Sequence, residues 1–379
     1  MATRKIPRWT GTAVLITIGV VAVVLFIVAW LSANQIRADL LVPVADDRPY
    51  DIEVVRTPPA RVVIAGTDEP ARGGTWGFET EETYTQLTSL LNRTTTDTEW
   101  AATSYVGEPL VGVSGRIDVD AFPVDPMVSY GLGFEDVRAP GDLGPLPAWL
   151  IDGRRSTWVI VAHGRGIDSR TQALRMIPSY VESGYPVLVV SYRNDEGAPK
   201  DPSGLRSWGL TEWRDLDAAI RLAEREGAQD YILVGHDLGA EVVSTFLHES
   251  DSVGNVLGVV FDSPALDLGG ALDYNSGPVA SFVGDLGQQM ARLRFGMEWD
   301  ELDQVARADQ FDVPILALHG ARDDIAPIEI TEAFVASRPD LAKLIRFEQG
   351  SHADLWNVDR VRYETEVMAF LESLAEDEG

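Results

Sequence analysis

Three short stretches of the chain carry residues that could act together on a substrate. Gly235-His236-Asp237-Leu238-Gly239 follows the apolar run Tyr231–Val234 and opens a helix-like run from Glu241. Flanking glycines let a helix leave a strand at close quarters, and such a turn lifts its middle side chain into the open. That side chain is Asp237, a carboxylate that needs no deprotonation to act as a nucleophile. Asp323 lies in His319-Gly320-Ala321-Arg322-Asp323-Asp324-Ile325-Ala326-Pro327, with Asp324 as the neighbouring alternative acid. His352 lies in Gly350-Ser351-His352, and the interval from Asp323 leaves room for one helix and one strand. An imidazole held between Asp237 and Asp323 would have its pKa raised, and would become a base only when Asp237 lost its charge.

These stretches need a frame that brings them to one edge. Strands are expected at Leu146–Ile151, Thr157–Ala162, Pro186–Tyr192, Tyr231–Val234, Val256–Phe261, Val313–Leu318 and Lys343–Phe347. Helical spacing recurs over Thr171–Ser183, Thr211–Glu226 (with Thr211 as a possible N-cap), 240–248 and Asp359–Ala375. Continuous apolar strands alternating with amphipathic helices predict an α/β fold, a mostly parallel sheet with helices on both faces. It should occupy residues 137–379, with a cap insertion at 264–310. Residues 51–136 read as a small β-rich segment of short strands, including Asp51–Arg56 and Arg61–Ala65.

With these motifs in hand, the chain resembles the α/β-hydrolase superfamily over roughly residues 137–375. The order nucleophile, acid, histidine is that superfamily's order. His163-Gly164-Arg165-Gly166, straight after a strand, is similar to its HGxG loop. The resemblance implies an oxyanion hole built from the backbone N–H groups of Arg165 and Leu238, with catalytic Asp237, Asp323 and His352. Ser191-Tyr192-Arg193-Asn194-Asp195-Glu196-Gly197-Ala198-Pro199 and Thr211-Glu212-Trp213-Arg214-Asp215 resemble the prolyl-oligopeptidase-like serine acyl hydrolases most closely. Yet the elbow carries Asp, as in epoxide hydrolases and haloalkane dehalogenases. Those enzymes attack carbon and form an alkyl-enzyme ester, which a histidine-activated water then cleaves. Attack on a carboxylic ester would instead give an anhydride, so ester and peptide cleavage are expected to be poor. The chain departs from the Asp-elbow families in having Gly166 where they have proline and Leu238 where they often have tryptophan. As cap donors it offers only Tyr274 and Trp299. The implied function is hydrolysis of a small molecule; the alternative is an inactive scaffold that binds a ligand or partner.

The remaining histidines read as structural: His163 and His236 bracing loops, His319 ending a strand, His248 in solvent. None has metal-ligand spacing, so neither metal nor cofactor is expected. The 379 residues include no cysteine, which excludes disulfides and thiolate chemistry. The formal net charge of −28 opposes binding to nucleic acid. Ala13–Leu31 is an apolar run without charge that at ~1.5 Å per residue nearly spans a ~30 Å hydrocarbon core. Arg4, Lys5 and Arg8 precede it; Asp39, Asp46, Asp47 and Asp51 follow. This predicts a cytoplasmic tail (1–12), a transmembrane anchor (13–31), a linker (32–50) and a catalytic domain outside the cell membrane. A cleaved signal peptide is the alternative, disfavoured by the length of the run.

Overall fold

The computed structural model describes residues 8–43, 48–66, 72–166, 169–274 and 277–376. Arg4, Lys5, Asp46 and Asp47, used above for orientation, lie outside the described residues. A helix of 29 residues, Arg8–Ile36, leads the chain and ends in a π-helical turn, Arg37–Leu41. It is long and apolar enough to cross a membrane. Its large apolar side chains between Val14 and Leu31 are mostly exposed, whereas Ala33, Ile36 and Leu41 are buried in the main core. The Arg206 N–H donates to the Leu41 carbonyl (2.7 Å), and Trp208 Nε1 to that of Leu40 (3.0 Å). Residues 32–41, expected in a linker, therefore continue the helix and dock on the globular part. Ala33, Ile36, Leu40 and Leu41 recur at helical spacing, so one face can be buried while the rest stays in solvent.

The β-rich segment closes on itself. Strands β1 (Ile52–Arg56), β2 (Arg61–Ala65), β3 (Trp76–Thr80), β4 (Tyr84–Arg93), β5 (Asp97–Val106) and β6 (Ser114–Asp118) form a barrel in the order β1-β2-β5-β4-β3-β6. Val54, Val62, Ile64, Trp76, Phe78, Leu87, Trp100 and Ile117 fill it. The period-two spacing of Val62 with Ile64 and of Trp76 with Phe78 turns one face of each strand inward. Pairing of β1 with β6 removes the free edges a sheet this small would expose.

Eight further strands form one mixed sheet. They are β7 (Glu135–Pro140), β8 (Pro145–Ile151), β9 (Thr157–Ala162), β10 (Val187–Val190), β11 (Asp230–His236), β12 (Val256–Asp262), β13 (Ile315–Gly320) and β14 (Ala342–Phe347). The order is β14-β13-β12-β11-β9-β10-β8-β7; β9 to β14 run parallel, and β7 and β8 form an antiparallel edge. Ile160 and Ala162 enter one core and Val159 and Val161 the other, so both faces are covered. Gly235 pairs with Ala162 on one side and Phe261 on the other. The C-terminal ends of β9, β11 and β12 thus stand level, which is where an open α/β sheet places its ligands.

Two local expectations give way. The helix expected over Thr171–Ser183 is split into a 3-10 stretch, Ser169–Arg175, and a helix, Ile177–Glu182. Pro178 lacks an N–H and is tolerated only in a first turn, so it starts a new helix. Thr211 is not an N-cap: the helix begins at Trp213, and the Thr211 hydroxyl pairs with Ser207 (2.6 Å). The 264–310 insertion holds helices Leu268–Asp273 and Pro278–Phe295. The second lies so close to the N-terminal helix that a Cβ on Gly287 would come within 2.1 Å of Ser32 Oγ.

Candidate functional site

Asp237 sits between the end of β11 and the helix Leu238–Glu249 with φ 48° and ψ −115°, a conformation that L-residues avoid. Its N–H donates to the Asp262 carbonyl (2.9 Å) and its carbonyl accepts from the Ala240 N–H (3.0 Å), which fixes the turn from both sides. The flanking glycines are required by contact. A Cβ on Gly239 would lie 2.0 Å from the Ala162 carbonyl oxygen, and one on Gly235 would lie 2.6 Å from Ala240 Cα.

The Asp237 carboxylate is buried, and its two oxygens have different partners. Oδ2 accepts from the Arg165 backbone N–H (2.9 Å) and from Arg165 Nε (2.8 Å). Oδ1 faces His352 Nε2 at 3.1 Å. On its other side, His352 Nδ1 lies 2.8 Å from Asp323 Oδ2. Asp323 is tied down in turn: Oδ1 accepts from the Ile325 and Ala326 N–H groups (3.0 and 2.8 Å), and Oδ2 lies 3.2 Å from His319 Nε2. Asp324, the alternative acid, is exposed. The structure therefore brings together Asp237, His352, Asp323 and Arg165. Leu238 is the first residue of its helix, and its N–H belongs to the first-turn amides that lack an acceptor within the helix.

Charge explains the protonation states. Burial pushes the Asp237 carboxyl up, but the Arg165 guanidinium and then His352 outweigh it and hold it well below the usual carboxylate range. Burial pushes His352 down, but Asp237 and Asp323 raise it to about 9, so it is an imidazolium at neutral pH. Asp323, raised by burial, is held low by its bonds from His319 and His352. Arg165 Nη2 also lies 3.0 Å from His352 Nε2. An imidazolium has no lone pair there, so its Nε2–H goes to Asp237 and the guanidinium is a second cation beside it. Two cations and two carboxylates then balance in a largely buried site, where each contact counts for more than in water.

The loops around this cluster are braced by residues remote in sequence. His163 Nε2 lies 2.9 Å from Asp195 Oδ2, which also accepts from the Tyr192 N–H (2.6 Å). The Gly164 N–H donates to Gln172 Oε1 (2.7 Å), and Arg206 donates to the Gly166 carbonyl. The Tyr192–Asp195 motif thus braces the Arg165 loop. It is itself fixed by Arg193, whose Nε and Nη2 reach the Asp215 oxygens at 2.8 and 2.9 Å. The histidine loop leans on the barrel: Asp354 Oδ1 accepts from the Ser351 N–H (2.7 Å), and Asp354 Oδ2 accepts from Arg72. Asn357 Nδ2 donates to the carbonyls of Thr75 and Val119, both at 2.8 Å. Arg72, Asp354 and Asn357 were not expected from the sequence, and with Arg72 and Asp354 standing 282 positions apart no local pattern signals them.

Other side chains fall away from the chemistry. His236 Nδ1 pairs with Asp262 (3.0 Å) and lines a small cavity with Arg175 and Tyr363 that excludes Asp237, Asp323 and His352. His248, expected in solvent, is half-buried, stacks edge-on to Phe311 (4.7 Å) and bonds Gln304 (3.0 Å); burial lowers it to about 4. The expectation failed because the insertion covers that helix end. Trp299 is no substrate donor, since its indole N–H bonds the Gln288 carbonyl (2.9 Å).

No family model matches the sequence. Over 231 residues the chain is 22% identical to the uncharacterized protein YqkD of Bacillus subtilis (strain 168), covering 57% of this chain and 71% of that one. Among solved structures, it superposes on the Pyrococcus furiosus esterase Pf2001 with a TM-score of 0.53 and 18% identity, covering 66% of this chain and 96% of that one. On a puromycin hydrolase the TM-score is 0.50 at 19% identity, covering 82% of this chain but 46% of that one. The chain has the α/β-hydrolase fold.

Proposed function

We propose that this α/β-hydrolase-fold chain is a membrane-anchored hydrolase in which Asp237 is the nucleophile, His352 the base and Asp323 its orienting acid. One observation carries the reading: the carboxylate is split, with Oδ2 on the Arg165 N–H and Oδ1 left facing His352. Oδ1 attacks a carbon bearing a leaving group; that bond breaks and the pair departs with the leaving group. The ester that remains on Asp237 is neutral. His352 then loses the charge that chiefly raised its pKa, releases its Nε2 proton to solvent and becomes a base. It takes a proton from water, and the hydroxide adds to Asp237 Cγ. The developing oxyanion is the former Oδ2, already held by the Arg165 N–H and guanidinium, with the Leu238 N–H as the second backbone donor. Collapse releases the alcohol, which takes the proton back from His352, and leaves Asp237 as a carboxylic acid; this passes the second water proton to His352 and restores the carboxylate–imidazolium pair.

The N-terminal helix supports anchoring in a cell membrane, with Arg8 on the cytoplasmic side and the catalytic domain outside. The substrate is a small molecule with an electrophilic carbon, an epoxide or alkyl halide rather than an ester or peptide. A second reading, an inactive scaffold, draws on the Arg165 guanidinium lying directly on Asp237. Epoxide, haloalkane and aryl-ester panels decide between them. In a His352→Ala variant, mass spectrometry should find an adduct on Asp237 with one of the first two. No adduct and no turnover on any panel would leave the scaffold.

A further inference from the structure

The helix Pro278–Phe295 in the insertion carries apolar residues at Val279, Phe282, Leu286, Met290 and Leu293, spaced by three and four residues and so aligned on one face. Val279, Phe282 and Leu293 are exposed, Leu293 by 81%. The adjacent face, through Gly287 and Ala291, is buried, with Gly287 against Ser32 and Ile36 of the N-terminal helix. At its far end the Arg294 guanidinium lies 3.6 Å from the Trp30 ring centroid, and Arg294 Nη1 donates to Asn34 Oδ1 (2.9 Å). Trp30 stands at the end of the apolar run that closes at Leu31. Arginine and tryptophan are the residues that settle at the boundary of hydrocarbon and water. Leu293, next to Arg294, therefore stands at the depth of Trp30, and its side chain is largely exposed.

We infer that the Leu293 end of this helix is a lipid-contact surface, seated in the headgroup layer of the same bilayer that holds the N-terminal helix. The inference rests on the anchor reading. The occupant follows from continuity: the apolar stripe adjoins a helix whose own outer face is lipid-facing, and the Trp30–Arg294 stack joins the two at the boundary. At ~1.5 Å per residue, Phe282 lies about 16 Å along the helix from Leu293. The headgroup layer on each side is roughly 6 Å thick, so the helix enters by one end.

The chain has no cysteine, so single replacements can be spin-labelled uniquely. The test reconstitutes the full chain in phosphatidylcholine nanodiscs with labels at Val20→Cys, Leu293→Cys or Leu110→Cys, the last an exposed site in the connection between β5 and β6. Collision with oxygen, which favours lipid, is compared with collision with a water-soluble nickel chelate. Val20 should report hydrocarbon, Leu110 water, and Leu293 a depth between them. A Leu293 label as aqueous as Leu110, with Val20 in lipid, overturns the lipid contact alone. An aqueous Val20 label overturns the anchor and the contact together.

Discussion

Arg165 reaches the Oδ2 oxygen of Asp237 twice, by its backbone N–H at 2.9 Å and its Nε at 2.8 Å. One residue thereby ties up one oxygen of the carboxylate and leaves the other toward His352. The same pair would draw charge from a carbonyl formed there, which is the task of an oxyanion hole.

Replacing Arg165 with Ala keeps the backbone donor and removes the guanidinium. The alkyl-enzyme ester should still form, but its hydrolysis should slow by roughly 10²-fold, the usual cost of one oxyanion donor. Rapid quench and mass spectrometry would show the adduct accumulating. Unchanged release would mean that the guanidinium only blocks the site.

His352 owes its raised pKa chiefly to Asp237. In Asp237→Asn the imidazole should titrate well below about 9, by NMR of its ring nitrogens. A group whose folded pKa is raised contributes stability that is full below its unfolded pKa of about 6.5 and is lost as pH rises through its folded pKa. For His352 that contribution is on the order of 3 kcal/mol, lost between about pH 6.5 and pH 9. The melting temperature of the native chain should fall across that window, and that of His352→Gln should fall less.

Asp237→Ser removes a negative charge from beside the Arg165 N–H. Aryl-ester cleavage, expected to be poor in the native chain, should rise, read by phenolate release. The double variant with His352→Ala should lose the gain.

Gly239→Ala would push a methyl to within 2.0 Å of the Ala162 carbonyl oxygen. Backbone on both sides leaves nothing flexible to yield, so the variant should lose ~3 kcal/mol or more, read from denaturant midpoints. An unchanged midpoint would show that the elbow is looser than these contacts require.

The strand–helix alternation was legible because each parallel strand is a continuous apolar run bounded by turn formers. The elbow, the acid loop and the histidine loop were legible for a related reason. Each follows a strand directly, so sequence order alone sends it to one edge of the sheet. Barrel closure was not legible: pairing β1 with β6 depends on partners far apart in the chain, and short alternating strands read alike in a barrel or a sandwich. The grip of Arg72 on Asp354 and the docking of Leu40 and Leu41 beneath Arg206 and Trp208 were hidden for the same reason. The Arg165 side chain escaped notice because the motif points only to its backbone N–H.

The most direct test is one turnover in heavy-oxygen water with the native chain in excess over an epoxide or haloalkane that it converts. Water attacking the ester carbonyl puts the heavy oxygen into the Asp237 carboxylate and leaves the product alcohol unlabelled. Peptide mass spectrometry should find the label on the fragment carrying Asp237. Label in the product with none on Asp237 would show direct attack by water and would contradict nucleophilic catalysis by Asp237.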